Sequence, residues 1–175
     1  MIPEFSRPIR ADTIGTAARA LSIAANPAER AALATRFGLL AIDSLSAELS
    51  IVRDGGGIAL TGKLKAAVVQ PCAASGAPVP ARLSEAFAIL FRPPPTGLPD
   101  EEVELGEDEL DVVFYDGATI DAGEAVAETL SLALDPFPRA PQAEDMLKAA
   151  GVISEEEARP AGALAGLRDL LSGKS

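Results

Sequence analysis

Between residues 45 and 91 the apolar positions recur at period two. Leu45, Ala47, Leu49 and Ile51 alternate with Ser46, Glu48 and Ser50, the pattern of a strand with one face buried and one in water. Asp54-Gly55-Gly56-Gly57 reads as a hairpin turn. Ile58, Leu60, Leu64, Ala66 and Val68 then alternate with Thr61, Lys63 and Lys65, so a long strand returns. A connection from Pro71 to Pro80 leads to Leu83, Phe87, Ile89 and Phe91, again at period two. These segments predict an antiparallel meander of at least three strands. Upstream, Ala20–Ala25 reads as a further short strand. Glu4–Arg10 reads as an edge strand, because Pro8 has no N–H to give a neighbour.

Elsewhere the period changes. Asn26-Pro27-Ala28-Glu29 combines an N-cap, a proline at the first helical position and an acid in the first turn. It predicts a helix to about Phe37, ended by Gly38 in a left-handed cap. Asp111–Tyr115 reads as a strand, and Asp116-Gly117 as a turn. Asp121 then occupies an N-cap position, with Glu124 three residues on as in a capping box. Ala122, Ala125, Val126, Thr129, Leu130, Ala133 and Leu134 would form one apolar helix face. Asp135 precedes Pro136, which ends the helix near Leu134. Pro136, Pro138 and Pro141 hold the chain extended, with Phe137 expected as an apolar anchor. Gln142–Ala150 reads as a short helix closed by Gly151. The fold expected is α+β: a twisted antiparallel sheet, a meander or its barrel-like closure, with two to three helices packed on it. Residues 1–153 would form a single domain. Residues 154–175 would form a mobile tail with a weak stripe of Leu164, Leu167, Leu170 and Leu171.

Composition narrows the chemistry. The chain has 175 residues, 48% hydrophobic and 4% aromatic, so its core must be built mainly of Leu, Ile, Val and Ala. Pro3, Glu4, Arg7, Pro8, Arg10 and Asp12 interrupt any apolar run near the start, so no signal peptide is expected. No stretch approaches the roughly 18 apolar residues of a membrane helix. One cysteine excludes an internal disulfide and suits a reducing cytoplasm. With no histidine, Ser-His-Asp and Cys-His catalysis and histidine-ligated zinc are excluded.

Charge is unevenly spread. Residues 1–99 hold 10 Lys+Arg and 7 Asp+Glu, whereas residues 100–175 hold 5 and 19, for a net charge of −11. RNA binding depends on cations displacing counterions from phosphates, so the C-terminal half is a poor RNA surface. Its acidity suits a basic protein partner instead. If RNA is contacted, the candidates are Arg7, Arg10, Lys63, Lys65 and Arg82, expected on exposed strand faces; the plainer reading is scattered surface charge. Gly57–Leu64 nearly spells a phosphate-binding loop, but Leu64 stands where Ser or Thr should hold magnesium and the residues alternate like a strand. The acid-rich stretch Asp100–Asp111 reads as a solvated loop or a weak strand at Glu102–Leu105. A carboxylate-metal hydrolase built on Asp108 and Asp111 is the remaining catalytic alternative. Otherwise no catalytic, cofactor or metal residue is expected.

Three segments, in order, resemble the YceD family, the large ribosomal RNA accumulation proteins of bacteria and plastids. One is the capped helix and proline-rich exit: Ile120, Asp121, Glu124, Val126, Glu128, Leu130, Leu132, Leu134, Asp135, Pro136 and Pro138. Another is Cys72, Ser75, Gly76 and Pro78, placed like a Cys-x-x-Cys-Gly-x-Pro hairpin of many relatives. Ser75 replaces the second cysteine, so a metal is not expected here. The tail from Pro160 to Lys174 looks like the family's closing segment. The resemblance implies a cytoplasmic, non-enzymatic factor for large-subunit ribosomal RNA accumulation, processing and ribosome assembly. Its expected partner is a ribosomal protein or a precursor of the large subunit, with no cofactor and no membrane. A direct RNA-binding module is the alternative.

Overall fold

The computed structural model describes residues 3–94, 111–116 and 118–152. In chain order its elements are β1 (Pro8–Arg10), a 3-10 turn (Ala11–Thr13), β2 (Arg19–Ala24), α1 (Pro27–Phe37), β3 (Ala41–Asp54), β4 (Gly57–Pro71), β5 (Pro78–Arg92), β6 (Asp111–Phe114), β7 (Thr119–Asp121), α2 (Ala122–Ala133) and α3 (Ala143–Ala149). The architecture is α+β. The acidic stretch before Asp111, where a weak strand is one expectation, and the tail from residue 154 lie outside the described residues.

The predicted meander is present, and its strands are longer than their apolar cores. β3, β4 and β5 run for 14, 15 and 15 residues. The main sheet has the order β2-β3-β4-β5-β6. Its first four strands are antiparallel, but β6 joins β5 in parallel, with Phe91 opposite Val113. The sheet is therefore mixed rather than purely antiparallel. It is also open: β2 and β6 stand at opposite edges, so the barrel-like alternative is not formed.

Register explains which face is buried. Leu45 lies opposite Ala66, Ala47 opposite Leu64, and Ile51 opposite Leu60, which in turn lies opposite Ile89. Directly paired residues share a face, so these apolar sets coincide and form the core with the helices. The two glycines of the phosphate-loop-like stretch have a packing role. A Cβ on Gly57 would lie 2.5 Å from the Phe91 carbonyl oxygen, and one on Gly62 would lie 2.6 Å from a Leu49 methyl. Both sit inside β4, so that stretch opens no helix and cradles no phosphate.

α1 starts and stops as its sequence predicts. The Asn26 side chain accepts from the Glu29 N–H, the Glu29 carboxylate accepts from the Asn26 N–H, and Gly38 sits at φ 66°. Leu33 and Ala34 face inward, and α1 packs mainly on β3. α2 is capped by Asp121, whose Oδ1 accepts from the Gly123 and Glu124 N–H groups. Glu124 does not complete a capping box. Its carboxylate instead accepts two hydrogen bonds from Arg36, at 2.6 and 3.0 Å, tying the end of α1 to the start of α2. Arg36 also donates to Glu4 at 3.0 Å. Phe137 is no anchor either: it is 73% exposed, and Pro138 and Ala140 are the buried residues of the exit.

The segment before β1 is part of the core. Only Pro8–Arg10 of the predicted first strand is strand, and it pairs with β7 in a separate ribbon, Ile9 opposite Ile120. Phe5 is fully buried. Its carbonyl oxygen would lie 1.9 Å from a Cβ on Gly123, so only glycine lets this segment rest on the first turn of α2. Arg7 is not on an exposed strand face. Its guanidinium makes a two-pronged pair with Glu29, at 2.8 and 3.0 Å, and stacks 4.6 Å from the Phe5 ring centre. The Arg7 hydrogen bond, chiefly, holds the Glu29 carboxyl below its ordinary value near 4.5, against a smaller opposing desolvation. A depressed carboxylate contributes stability above its unfolded pKa and loses it as pH falls through the folded one. Glu29→Gln should therefore flatten the fall of stability with acid below about pH 4.5. The effect is moderated because the Arg7 side chain is 33% exposed. Urea midpoints measured from pH 3 to 7 check this; parallel curves for the two proteins would refute it.

Candidate functional site

Two of the three segments singled out as family-like, the hairpin and the proline-rich exit, lie against each other. Leu134 leaves α2 with ψ 142°, the extended turn-out expected ahead of Asp135-Pro136. The Asp135 carboxylate accepts from the Phe137 N–H, and its carbonyl accepts from Gln70 Nε2 at 2.8 Å. The Pro138 carbonyl accepts from the Ala73 N–H at 2.7 Å. Between β4 and β5 the chain turns tightly: the Cys72 N–H donates to the Ala77 carbonyl, and the Gly76 N–H to the Cys72 carbonyl, with Gly76 at φ 71°. Pro78 then opens β5.

Cys72 is buried in a small cluster with Ala140 and Ala143. Its sulfur accepts from the Ala140 N–H at 3.3 Å. That bond, with the Ser75 side chain and two further backbone N–H groups, holds the thiol down to about 7, while desolvation opposes the shift. N–H groups converging on a sulfur would suit a metal-bound thiolate, but only one thiolate is present. Among the described residues no three metal-ligating side chains come together. What the arrangement does is join β4, the hairpin and the exit from α2.

Gln70 is the residue that sequence reasoning missed. At 5% exposure it is the buried polar side chain of this region, and it bridges β4 to the exit. The available signal was an amide at the last inward position of the β4 alternation, where a core side chain was due. Beside it an open groove of about 700 Å³ runs between Phe37, Leu39, Gln70, Leu132, Leu134 and Pro136. Arg36 also lines it, with its charge already engaged by Glu124 and Glu4. Glu128 projects from the exposed side of α2.

Of the five basic candidates, three gather and two do not. Lys63, Lys65 and Arg82 share the face of the main sheet that the described helices leave bare, and all three are exposed. Lys63 stands opposite Glu48 on one side and Ala86 on the other; Lys65 stands opposite Ser46 and Ser84. Arg82 lies opposite Ala67, diagonal to Lys65. Arg7 is held in the clamp with Glu29. Arg10 is exposed on β1, away from the main sheet, and pairs with Asp12 at 2.5 Å.

One family model matches, over residues 60–171; it is described as Large ribosomal RNA subunit accumulation protein YceD. The matched stretch covers more than half of the chain, including the hairpin, the bare-face cations, α2 and its exit. No curated protein matches, and no solved structure does.

Proposed function

The chain belongs to the YceD family, and from that premise we propose that it supports accumulation of large-subunit ribosomal RNA as a cytoplasmic, non-enzymatic factor in processing and assembly. The family match over residues 60–171 carries this reading. The chemistry of the chain is in keeping with it. Histidine is absent from the sequence, and the single cysteine is buried with its sulfur already bonded to a backbone N–H. Among the described residues no helix is long and apolar enough to cross a membrane. The excess of acids after residue 100 suits a basic ribosomal protein or a large-subunit precursor as partner. Of the hydrolase alternative, Asp111 is an exposed residue at the start of β6, and Asp108 lies outside the described residues.

Depletion of the chain in its own cells tests this reading. The expected result is a fall in the ratio of large- to small-subunit ribosomal RNA, restored when the chain is supplied again. An unchanged ratio would overturn it. Purified chain incubated with ribosomal RNA and magnesium or manganese should leave the RNA intact. Cleavage abolished by Asp111→Asn would replace the non-enzymatic reading with the hydrolase.

A further inference from the structure

Resting on the ribosomal reading, the geometry points to a partner for the bare sheet face: we propose that it binds an RNA strand through the backbone phosphates, with Lys63, Lys65 and Arg82 as the contacts. Lys63 and Lys65 are two residues apart on one strand and so about 7 Å apart along it. Arg82 is one diagonal step from Lys65, about 7–8 Å away. No ion pair among the described residues engages any of the three. Apart from Glu48, the described side chains between and beside them are short: Ser46, Thr61, Ala67, Ser84 and Ala86. A strand of polyanion can thus lie close to the sheet, with hydroxyl groups available to its oxygens.

The same composition argues against a protein partner on this part of the face. Protein interfaces centre on buried aromatic, Met and Arg anchors, and among the described residues the surface around the two lysines has no large apolar side chain. The exposed aromatic of this face, Phe114, pairs in register with Arg92, six residues along β5 from Ala86. Two acids weaken the field. Glu48 stands opposite Lys63, with its carboxylate accepting from Ser22 at 2.9 Å, and Asp43 sits in the β3 irregularity beside Ser44, which lies opposite Ala67. With these neighbours and a net charge of −11, binding should be weak and strongly salt-dependent.

The magnitude follows from the number of phosphates neutralised. Each contributes about 0.7 to the slope of log affinity against log salt for a single strand, so three give about 2. Raising salt from 50 to 200 mM should weaken binding roughly twentyfold. Fluorescence anisotropy with the full chain and a labelled single-stranded fragment of large-subunit ribosomal RNA measures this. Lys63→Ala with Lys65→Ala should lower the slope to about 0.7, with an unchanged melting temperature. Glu48→Gln should tighten binding, a gain that damage to the fold would not produce. Arg10→Ala should change nothing. Absence of binding at 50 mM salt, or affinity undiminished in Lys63→Glu with Lys65→Glu, would overturn the proposal. So would capture of poly-glutamate in preference to RNA, which would assign the face to an acidic polypeptide. If RNA binding fails while depletion still lowers large-subunit RNA, this face is wrongly assigned and the family reading stands.

Discussion

Phe5→Ala should lower the stability of the chain by about 3–5 kcal/mol, the range for removing a buried aromatic ring. In a chain of this length that is a drop in melting temperature of roughly 6–20 °C. The expectation is unusual for a residue so near the start of a sequence, where fraying is common. It rests on the full burial of the Phe5 ring, on its contact with the Arg7 guanidinium, and on the close approach of its carbonyl to Gly123. The opposite side of the same contact gives an internal control. Gly123→Ala removes no apolar surface, yet it should also destabilise, because its methyl would collide with backbone rather than with a side chain that can turn away. Thermal and urea unfolding of the two variants measure both. A loss under about 1 kcal/mol for Phe5→Ala would mean that the segment is not part of the cooperative core.

Asp121→Ala should cost about 2–4 kcal/mol, combining a lost helix cap with orphaned donors on the neighbouring segment. One carboxylate oxygen accepts the N–H groups of Arg7, Gly123 and Glu124, and the other accepts the Ser6 hydroxyl. Asp121→Asn keeps an oxygen for the three N–H groups and should recover most of the loss. Equal destabilisation by Ala and Asn would show that charge, not the hydrogen-bond geometry, carries the contribution. Denaturant midpoints for the three proteins decide the matter.

Much of the fold was legible because its signals are local. The alternation of β3, β4 and β5, the Gly55-Gly56 turn, the Asn26 and Gly38 caps of α1 and the proline stop of α2 each depend on residues within a few positions of one another. The rest depends on partners far along the chain. β1 and β7 are three residues each, too short to show a period, and exist only as a pair. Glu124 stands where its own helix start could use it, but Arg36, 88 residues away, takes its carboxylate. Arg7 reads as surface charge because nothing nearby in sequence reveals Glu29 beside it. Phe137 turns outward because the hairpin grips the Pro138 carbonyl rather than a ring. At the site, each family-like segment could be read alone. Their contact through Gln70, Ala73 and Cys72 could not, since backbone carbonyls supply two of its three acceptors.

The clasp between Ser6, Arg7 and Asp121 spans 114 and 115 positions of chain. At a synthesis rate of about 5–20 residues per second, Phe5 leaves the ribosome roughly 6–23 seconds before the carboxylate that will fasten its neighbours. During that interval a bulky aromatic has no pocket, while β2, α1 and the long meander can already assemble behind it. The earlier-made side of this clasp thus locks only after the later one exists, and a nascent chain interrupted before Asp121 would leave the Phe5 segment loose.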